Sequence, residues 1–436
     1  MKRLVYLLLS LVVVASCGKT RLPRDYWEKN TYKALNGLLR AEGKSARGYD
    51  AQKRPYAVFD FDNTSIINDV EISMMVYQLE NLRLKIAPER MYSLLLEGVP
   101  DTGVAIAGSE GHPVTATMLA KDIESDYKYL YDNYISLRGN QSEAADAALL
   151  KKIRKTREFK DFRAKVYALS KGIDDSFDYA TGCLWLLKLL VGMTPDEITA
   201  LVRESTVWWM TGKDKQSFAE GTDWVSRQKN RVRRVRWESP LMGQAGKVAV
   251  DTEQGIAVTK EMRHLYRALL ENGFDVYICS ASMERVVEAM ACDPAFGFGL
   301  DPAHVFGIRL VGEEEGPLKN AVYARDYEQP YQEGKVQCIL RYIAPAHGGR
   351  GPALVAGDST GDLNMLTEFP DLKVGLVVNC LRPGTISELA AYAQYGAGVL
   401  GEDPISIAGK DTRYVLQGRN YPKGRFIRKP TSKALK

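Results

Sequence analysis

The amino-acid sequence predicts an α/β fold: a Rossmann-like parallel sheet with a large, mainly helical cap inserted after its first strand. Three observations carry this expectation. Residues 56–61 are apolar, aromatic or β-branched except for Asp60, which is the composition of a buried strand. From about residue 247, short apolar runs at 276–279, 353–356 and 374–378 alternate with helix-period stretches at 259–271, from 283 and from 334. In between, residues 66 to about 170 carry periodic apolar positions, long charged stretches and few glycines. Alternation of this kind buries a parallel sheet between layers of helices.

The chain has 436 residues, enough for two or three domains, and its 45% hydrophobic content is that of a globular protein. A net charge of +5 is slight for this length and gives no ground for a nucleic-acid partner. At the N-terminus, Lys2 and Arg3 precede an apolar run, 4–14, that is too short to cross a bilayer comfortably. The run ends in Val14-Ala15-Ser16-Cys17-Gly18. Small residues ahead of a cysteine resemble the processing site of bacterial lipoproteins. That resemblance implies lipidation of Cys17, attachment to a membrane through the lipid, and a place in the cell envelope on the periplasmic or outer-membrane face. A plain secretory peptide with an incidental cysteine is the alternative. Residues 1–17 are then a signal peptide and 18–48 a polar tether.

Five further cysteines (Cys183, Cys279, Cys292, Cys338 and Cys380) are widely spaced and mostly in apolar surroundings, which suits buried thiols rather than a disulfide framework or a zinc site. The four histidines show no ligand spacing. The helical region is expected to hold a helix over 144–169 and a buried one over 184–191. Thr194-Pro195-Asp196-Glu197 has the form of a capping box with proline at the first helical position. Residues 208–237 are aromatic and basic, with Trp208, Trp209, Trp224 and Trp237 among Arg231, Arg233, Arg234 and Arg236. The boundaries expected are 49–65 and 246–415 for the sheet domain, 66–245 for the cap, and 416–436 for a basic tail.

Polar residues then collect where the predicted strands end or helices begin: Asp60 and Asp62, Ser280, Lys335, and Asp358 with Asp362. In a parallel sheet that edge is where ligands bind. Each residue has a plain structural explanation, Ser280 as a helix cap, Lys335 as a surface lysine and Asp358 in a turn. Together and in this order they suit phosphoryl transfer, which needs an in-line nucleophile, a cation and donors for the phosphoryl oxygens. Aspartate serves as nucleophile through an aspartyl-phosphate, and carboxylates bind Mg²⁺ in a cage of oxygens.

The set DxDxT (Asp60, Asp62, Thr64), a strand-end serine, a helix-start lysine and GDSxxD (357–362) resembles the haloacid dehalogenase (HAD) superfamily of phosphohydrolases over about residues 50–400. The resemblance implies that Asp60 is nucleophile and Mg²⁺ ligand, and that Asp62 is general acid and base with its carbonyl on the metal. By the same resemblance Thr64 supports that loop, Ser280 binds a phosphoryl oxygen, and Lys335 steadies the nucleophile and phosphate charges. Asp358 is a metal ligand, and Asp362 is a ligand or orients a metal-bound water. The insert is similar to the cap of the phosphoserine phosphatase-like branch, though larger.

The stretches 277–282, 331–335, 192–195 and 416–419 (Leu416-Gln417-Gly418-Arg419) also resemble secreted bacterial phosphorylcholine phosphatases. This implies a small phosphorylated substrate such as phosphorylcholine or phosphorylethanolamine. The cap tryptophans, with Trp208 and Trp209 foremost, would cage a quaternary ammonium, or else belong to the core of the cap. Asp69 and Glu71 would add charge complementarity. A phosphoserine phosphatase-like or broad acid phosphatase, and a non-catalytic ligand-binding lipoprotein, are the competing readings.

A lipid on Cys17 has a direct test. Cys17→Ser protein is expected to leave the membrane fraction or remain unprocessed, and unchanged attachment with normal processing would remove the anchor.

Overall fold

Alternate residues of the buried strands feed two separate cores. Ala57 and Phe59 face one apolar cluster while Tyr56 and Val58 face the other, and the same division separates Val276 and Ile278 from Tyr277 and Cys279, and Leu354 and Ala356 from Val355. A sheet whose two faces are both apolar must be covered on both sides. In the computed structural model, which describes residues 21–109, 112–134, 147–212, 221–229, 232–395 and 413–435, it is. Helices Lys29–Glu42, Val70–Asn81, Lys260–Glu271 and Glu284–Ala291 contribute to the first cluster. Helices Glu333–Cys338, Leu363–Thr367 and Thr385–Tyr395 contribute to the second.

The central sheet has seven strands, numbered in chain order: β1 Tyr56–Phe59, β2 Asp275–Met283, β3 Val305–Ile308, β4 Leu354–Gly357, β5 Val374–Asn379, β6 Tyr414–Asn420 and β7 Arg425–Phe426. Their spatial order is β7-β6-β5-β4-β1-β2-β3, and every pairing is parallel except β6 with β7. The mainly parallel sheet between helices is consistent with the Rossmann-like fold expected. Strand β1 lies at the point where the connections change direction, with β4 on one side and β2 on the other. This places the residue after Phe59 in a crevice between diverging loops.

Between β1 and β2 the described chain is mainly helical, with two antiparallel hairpins. It leaves the sheet through Ile66–Ile67 and returns through Ala257–Val258, and these two segments pair with each other. The division expected at residue 245 therefore cuts the hairpin formed by Arg233–Glu238 and Ala249–Gln254. The 144–169 stretch is broken: Ala147–Ile153 and Arg157–Ser176 are separate helices, the second capped by Thr156. The capping box at Thr194 forms, each of Thr194 and Glu197 accepting the other's backbone N–H.

Both ends of the chain depart from expectation. Residues 18–48 were expected to be a tether, yet Trp27 and Leu35 are fully buried and Lys29–Glu42 is a helix on the sheet. Residues 416–436 were expected to be a basic tail, yet β6 is buried along its whole length. The tail reading failed because only Tyr414 to Leu416 of this strand are apolar, while Gln417 to Asn420 are polar or glycine. Cys17 and Arg231 lie outside the described residues. Among the described residues no helix is long and apolar enough to cross a membrane.

At Gly418 a Cβ would stand 2.1 Å from the Lys429 carbonyl oxygen. Gly418→Ala should destabilise the protein by about 1–3 kcal/mol, measured by denaturant unfolding, because backbone there has nowhere to move.

Candidate active site

The site begins one residue beyond β1. Asp60 continues the parallel ladder by donating its N–H to the Ala356 carbonyl of β4. Residues 61–65 then turn tightly, with Asn63 in the left-handed region at φ 61°, ψ −7°. Asparagine tolerates that conformation better than most side chains. Ser65 closes the turn by donating to the Asp60 carbonyl at 2.6 Å. The Asp60 and Asp62 carboxyls thus enter the crevice in two different environments.

Asp60 accepts a 2.7 Å bond from the Lys335 ammonium, and the same ammonium reaches Asp362 at 2.6 Å. All three side chains are buried. Burial opposes the Lys335 charge, but Asp362 and then Asp60 outweigh it and raise its pKa. Burial and the Asp362 charge push Asp60 up to about 8 against the pull of Lys335. For Asp362, burial is overcome by Lys335 and by backbone donors, so its pKa lies below the ordinary carboxyl value. Its second oxygen accepts from the N–H groups of Asp358 and Ser359 and from the Ser359 hydroxyl, each at 3.0 Å. That fold-back needs Gly357, where a Cβ would lie 2.5 Å from the Asp362 Cβ.

Among the described residues Asp62 meets no cation. Its oxygens accept from the Val70 N–H at 2.7 Å, at the start of helix Val70–Asn81, and from the Ser282 hydroxyl at 2.6 Å. Burial and the neighbouring Asp69 charge nevertheless hold its pKa well above the carboxylate range. The two carboxyls, two residues apart, therefore sit in different environments, one against an ammonium and the other between a backbone N–H and a hydroxyl.

Asp358 accepts from the Thr64 hydroxyl at 3.2 Å and from the Arg382 guanidinium at 2.7 Å. Oxygens of Asp60, Asp358 and Asp362 lie within 4.8 Å of one another, a group able to hold a metal ion. An all-carboxylate donor set suits a hard divalent cation such as Mg²⁺. One Asp362 oxygen takes Lys335 and the other takes three further hydrogen bonds, whereas Asp358 accepts one on each oxygen and Asp60 accepts from Lys335 on one, so Asp60 and Asp358 are the less crowded donors.

A cavity of about 570 Å³ opens over these groups. All the residues singled out in the sheet domain line it or stand directly behind its wall: Asp60, Asp62, Ser280, Lys335 and Asp358 line it, while Thr64 and Asp362 bond to those that do. Ser280 lies in an irregular stretch of β2, between Cys279 and Met283, rather than past the strand's end. Its hydroxyl accepts the Ser282 N–H at 3.2 Å.

The far wall carries Asp69, Glu71, Asp174 and Tyr179. Burial raises all three carboxyl pKa values, Glu71 to about 8, with the Asp69 charge adding to the effect on Glu71. The tryptophans are elsewhere, so the expected cage is not built from them. Trp209 is buried and donates to the Ser73 carbonyl at 2.9 Å, and Trp208 packs edge-on against it and against Tyr77. Trp224 and Trp237 are likewise buried away from the cavity.

Sequence reasoning missed Ser282 and Arg382. Ser282 shares its strand face with Ser280, a period-two signal present in Ser280-Ala281-Ser282. Arg382 lies in a loop after β5, and nothing in its local sequence marks it.

No protein-family model matches the chain. It is 24% identical over 375 residues to the phosphorylcholine phosphatase of Pseudomonas aeruginosa, spanning 81% of this chain and 80% of that one. It is also similar to the crystal structure of a conserved protein of unknown function from Anaerococcus prevotii, with a TM-score of 0.80, 29% identity, and coverage of 95% of this chain and 99% of that one.

Removing the shared cation tests the electrostatics. Lys335→Met should cost about 3–5 kcal/mol at neutral pH, because two buried carboxylates lose their partner. Without Lys335 the Asp362 pKa loses the pull that holds it down, and the Asp60 pKa, already above its unfolded value, rises further. The variant should therefore recover stability relative to wild type as pH falls and the carboxyls protonate, which unfolding curves across pH would record.

Proposed function

We propose that this chain is a Mg²⁺-dependent phosphomonoesterase of the HAD type, acting through an aspartyl-phosphate on a small phosphorylated amino alcohol such as phosphorylcholine or phosphorylethanolamine. The observation that carries this reading is the split pair at the crevice: Asp60 held by Lys335, and Asp62 held by Ser282 and a helix-start N–H. The likeness to a phosphatase over four-fifths of both chains supports the same chemistry.

In this mechanism an Asp60 oxygen attacks phosphorus in line with the ester oxygen. Asp62, whose burial and neighbouring Asp69 charge favour the protonated form, passes its proton to the leaving alkoxide. As a carboxylate it then takes a proton from water, which attacks the acyl-phosphate at phosphorus and frees Asp60 and inorganic phosphate. Lys335 balances charge on Asp60 and the phosphoryl group throughout, and Ser280 donates to a phosphoryl oxygen. Asp60 and Asp358 would hold Mg²⁺, with Asp362 behind them fixing Lys335 and the 357–359 turn. The ion would neutralise phosphoryl charge.

The helical insert acts as the cap that reads the leaving group. A cavity of about 570 Å³ exceeds the need of a phosphate and fits a small monoester. Asp69, Glu71 and Asp174 are carboxyls whose ionisation is opposed by burial, so a bound cation is favoured there. Tyr179 adds an aromatic face. A choline or ethanolamine group supplies that cation.

Phosphate release from phosphorylcholine, phosphorylethanolamine, phosphoserine and p-nitrophenyl phosphate, with and without Mg²⁺, tests the proposal. The first two should have the highest kcat/KM. Asp60→Asn should lower turnover by at least ~10³-fold while the protein stays folded. Asp69→Asn keeps the helix cap but removes the charge, so it should raise KM for phosphorylcholine more than for p-nitrophenyl phosphate. No hydrolysis of any ester would end the phosphatase reading. Equal rates on all four would end only the amino-alcohol part.

A further inference from the structure

The stretch Leu416-Gln417-Gly418-Arg419 has no part in the chemistry above, yet it is buried and heavily bonded. Gln417 accepts the Glu28 N–H at 2.8 Å and donates to the Ile427 carbonyl at 2.8 Å, joining the N-terminal segment to the chain after β6. Gly418 lets residues 429–431 cross close to β6. Arg419 then extends to the loop between Asp60 and Ser65. One guanidinium nitrogen donates to the Asn63 carbonyl and the other to the Asn63 side-chain oxygen, both at 3.1 Å. The guanidinium lies 4.4 Å from the centre of the Tyr421 ring. The Tyr421 hydroxyl in turn lies 2.8 Å from the Asn68 side-chain oxygen and 2.7 Å from the Glu253 carboxylate, its single proton shared between the two acceptors.

We propose that Arg419 is a positioning residue for the reaction: its two-point grip on Asn63 holds the left-handed turn that sets Asp62 and Thr64 in register with Asp60 and Asp358. The inference rests on the phosphatase reading for its kinetic consequence, but its structural content is independent. Asn63 sits between the two residues whose side chains bond Ser282 and Asp358. A left-handed asparagine costs energy that its surroundings must supply. Its N–H is already given to the Asn68 carbonyl at 3.1 Å, so Arg419 and Asn68 grip the residue from both sides. A planar fork matches two oxygens of one residue, which a lysine cannot do. Tyr421 carries the same restraint to Asn68 and to Glu253, at the opposite end of the turn and on the returning strand of the insert. Through these contacts β6 and the residue just after it tie the turn at Asn63 to the segment through which the insert returns.

The test uses the full chain with Arg419→Lys, Arg419→Gln, Asn63→Ala and the double variant Asn63→Ala/Arg419→Gln. For folded protein, both Arg419 variants should lose at least ~10-fold in kcat on the best substrate with KM changed less than ~3-fold, since a displaced acid impairs the step more than binding. The double variant should be no slower than the worse single variant, because both remove one linkage. Amide hydrogen exchange should rise in peptides covering 60–68 in Arg419→Gln and stay unchanged in those covering 354–357. Exchange is measurable even if no ester is hydrolysed, which separates this inference from the phosphatase reading. Turnover within twofold of wild type for Arg419→Lys, additive losses in the double variant, or unchanged exchange over 60–68 would each overturn it.

Discussion

One buried ammonium sets the terms for the rest of the site. Lys335 stands between Asp60 and Asp362, and each of the three groups would be unfavourable in that environment alone. Asp362 is further pinned by the backbone of the 358–359 turn, so the lysine is anchored on the side away from the crevice and its charge is aimed at Asp60. The arrangement fixes three separate parts of the chain relative to one another: the end of β1, the helix Glu333–Cys338 and the loop after β4. Gly357 is part of the same constraint, since any side chain there would push Asp362 away from Lys335.

The second carboxyl gains its character from what it lacks. Asp62 receives hydrogen bonds from a helix start and a hydroxyl but no ammonium, and burial keeps it inclined to hold a proton. Two aspartates in one short turn thus differ because one points at Lys335 and the other at β2. That separation depends on the turn itself, which Asn63 reverses in the left-handed region. The insert lies directly over this turn, entering and leaving through the paired segments Ile66–Ile67 and Ala257–Val258. Its acidic wall at Asp69 and Glu71 follows within eleven residues of Asp60, so in the proposed reaction the chemistry and the recognition of the leaving group would be carried by neighbouring pieces of chain.

Local patterns determined much of this protein. The apolar run ending at Asp60, the strands at 276, 354 and 374, the capping box at Thr194 and the alternation after 247 were all legible, because strand and helix periods and cap chemistry are short-range properties. The group Asp60, Asp62, Ser280, Lys335, Asp358 and Asp362 was legible too, since each lies where a predicted element begins or ends, and the structure brings them to one crevice. Three features were decided only by tertiary structure. Strand β6 reads as a tail because its last four residues, Gln417 to Asn420, are polar or glycine. They are buried only because the two chain termini and the catalytic turn supply their partners. Trp208 and Trp209 look like a binding surface in sequence, but the packing of their helix against Val70–Asn81 turns them to the core. Arg382 reaches Asp358 from a loop 24 residues further along the chain, and Arg419 reaches Asn63 from β6, 356 residues away. No local period encodes such a meeting, because the energy that places a buried guanidinium comes from oxygens elsewhere in the fold.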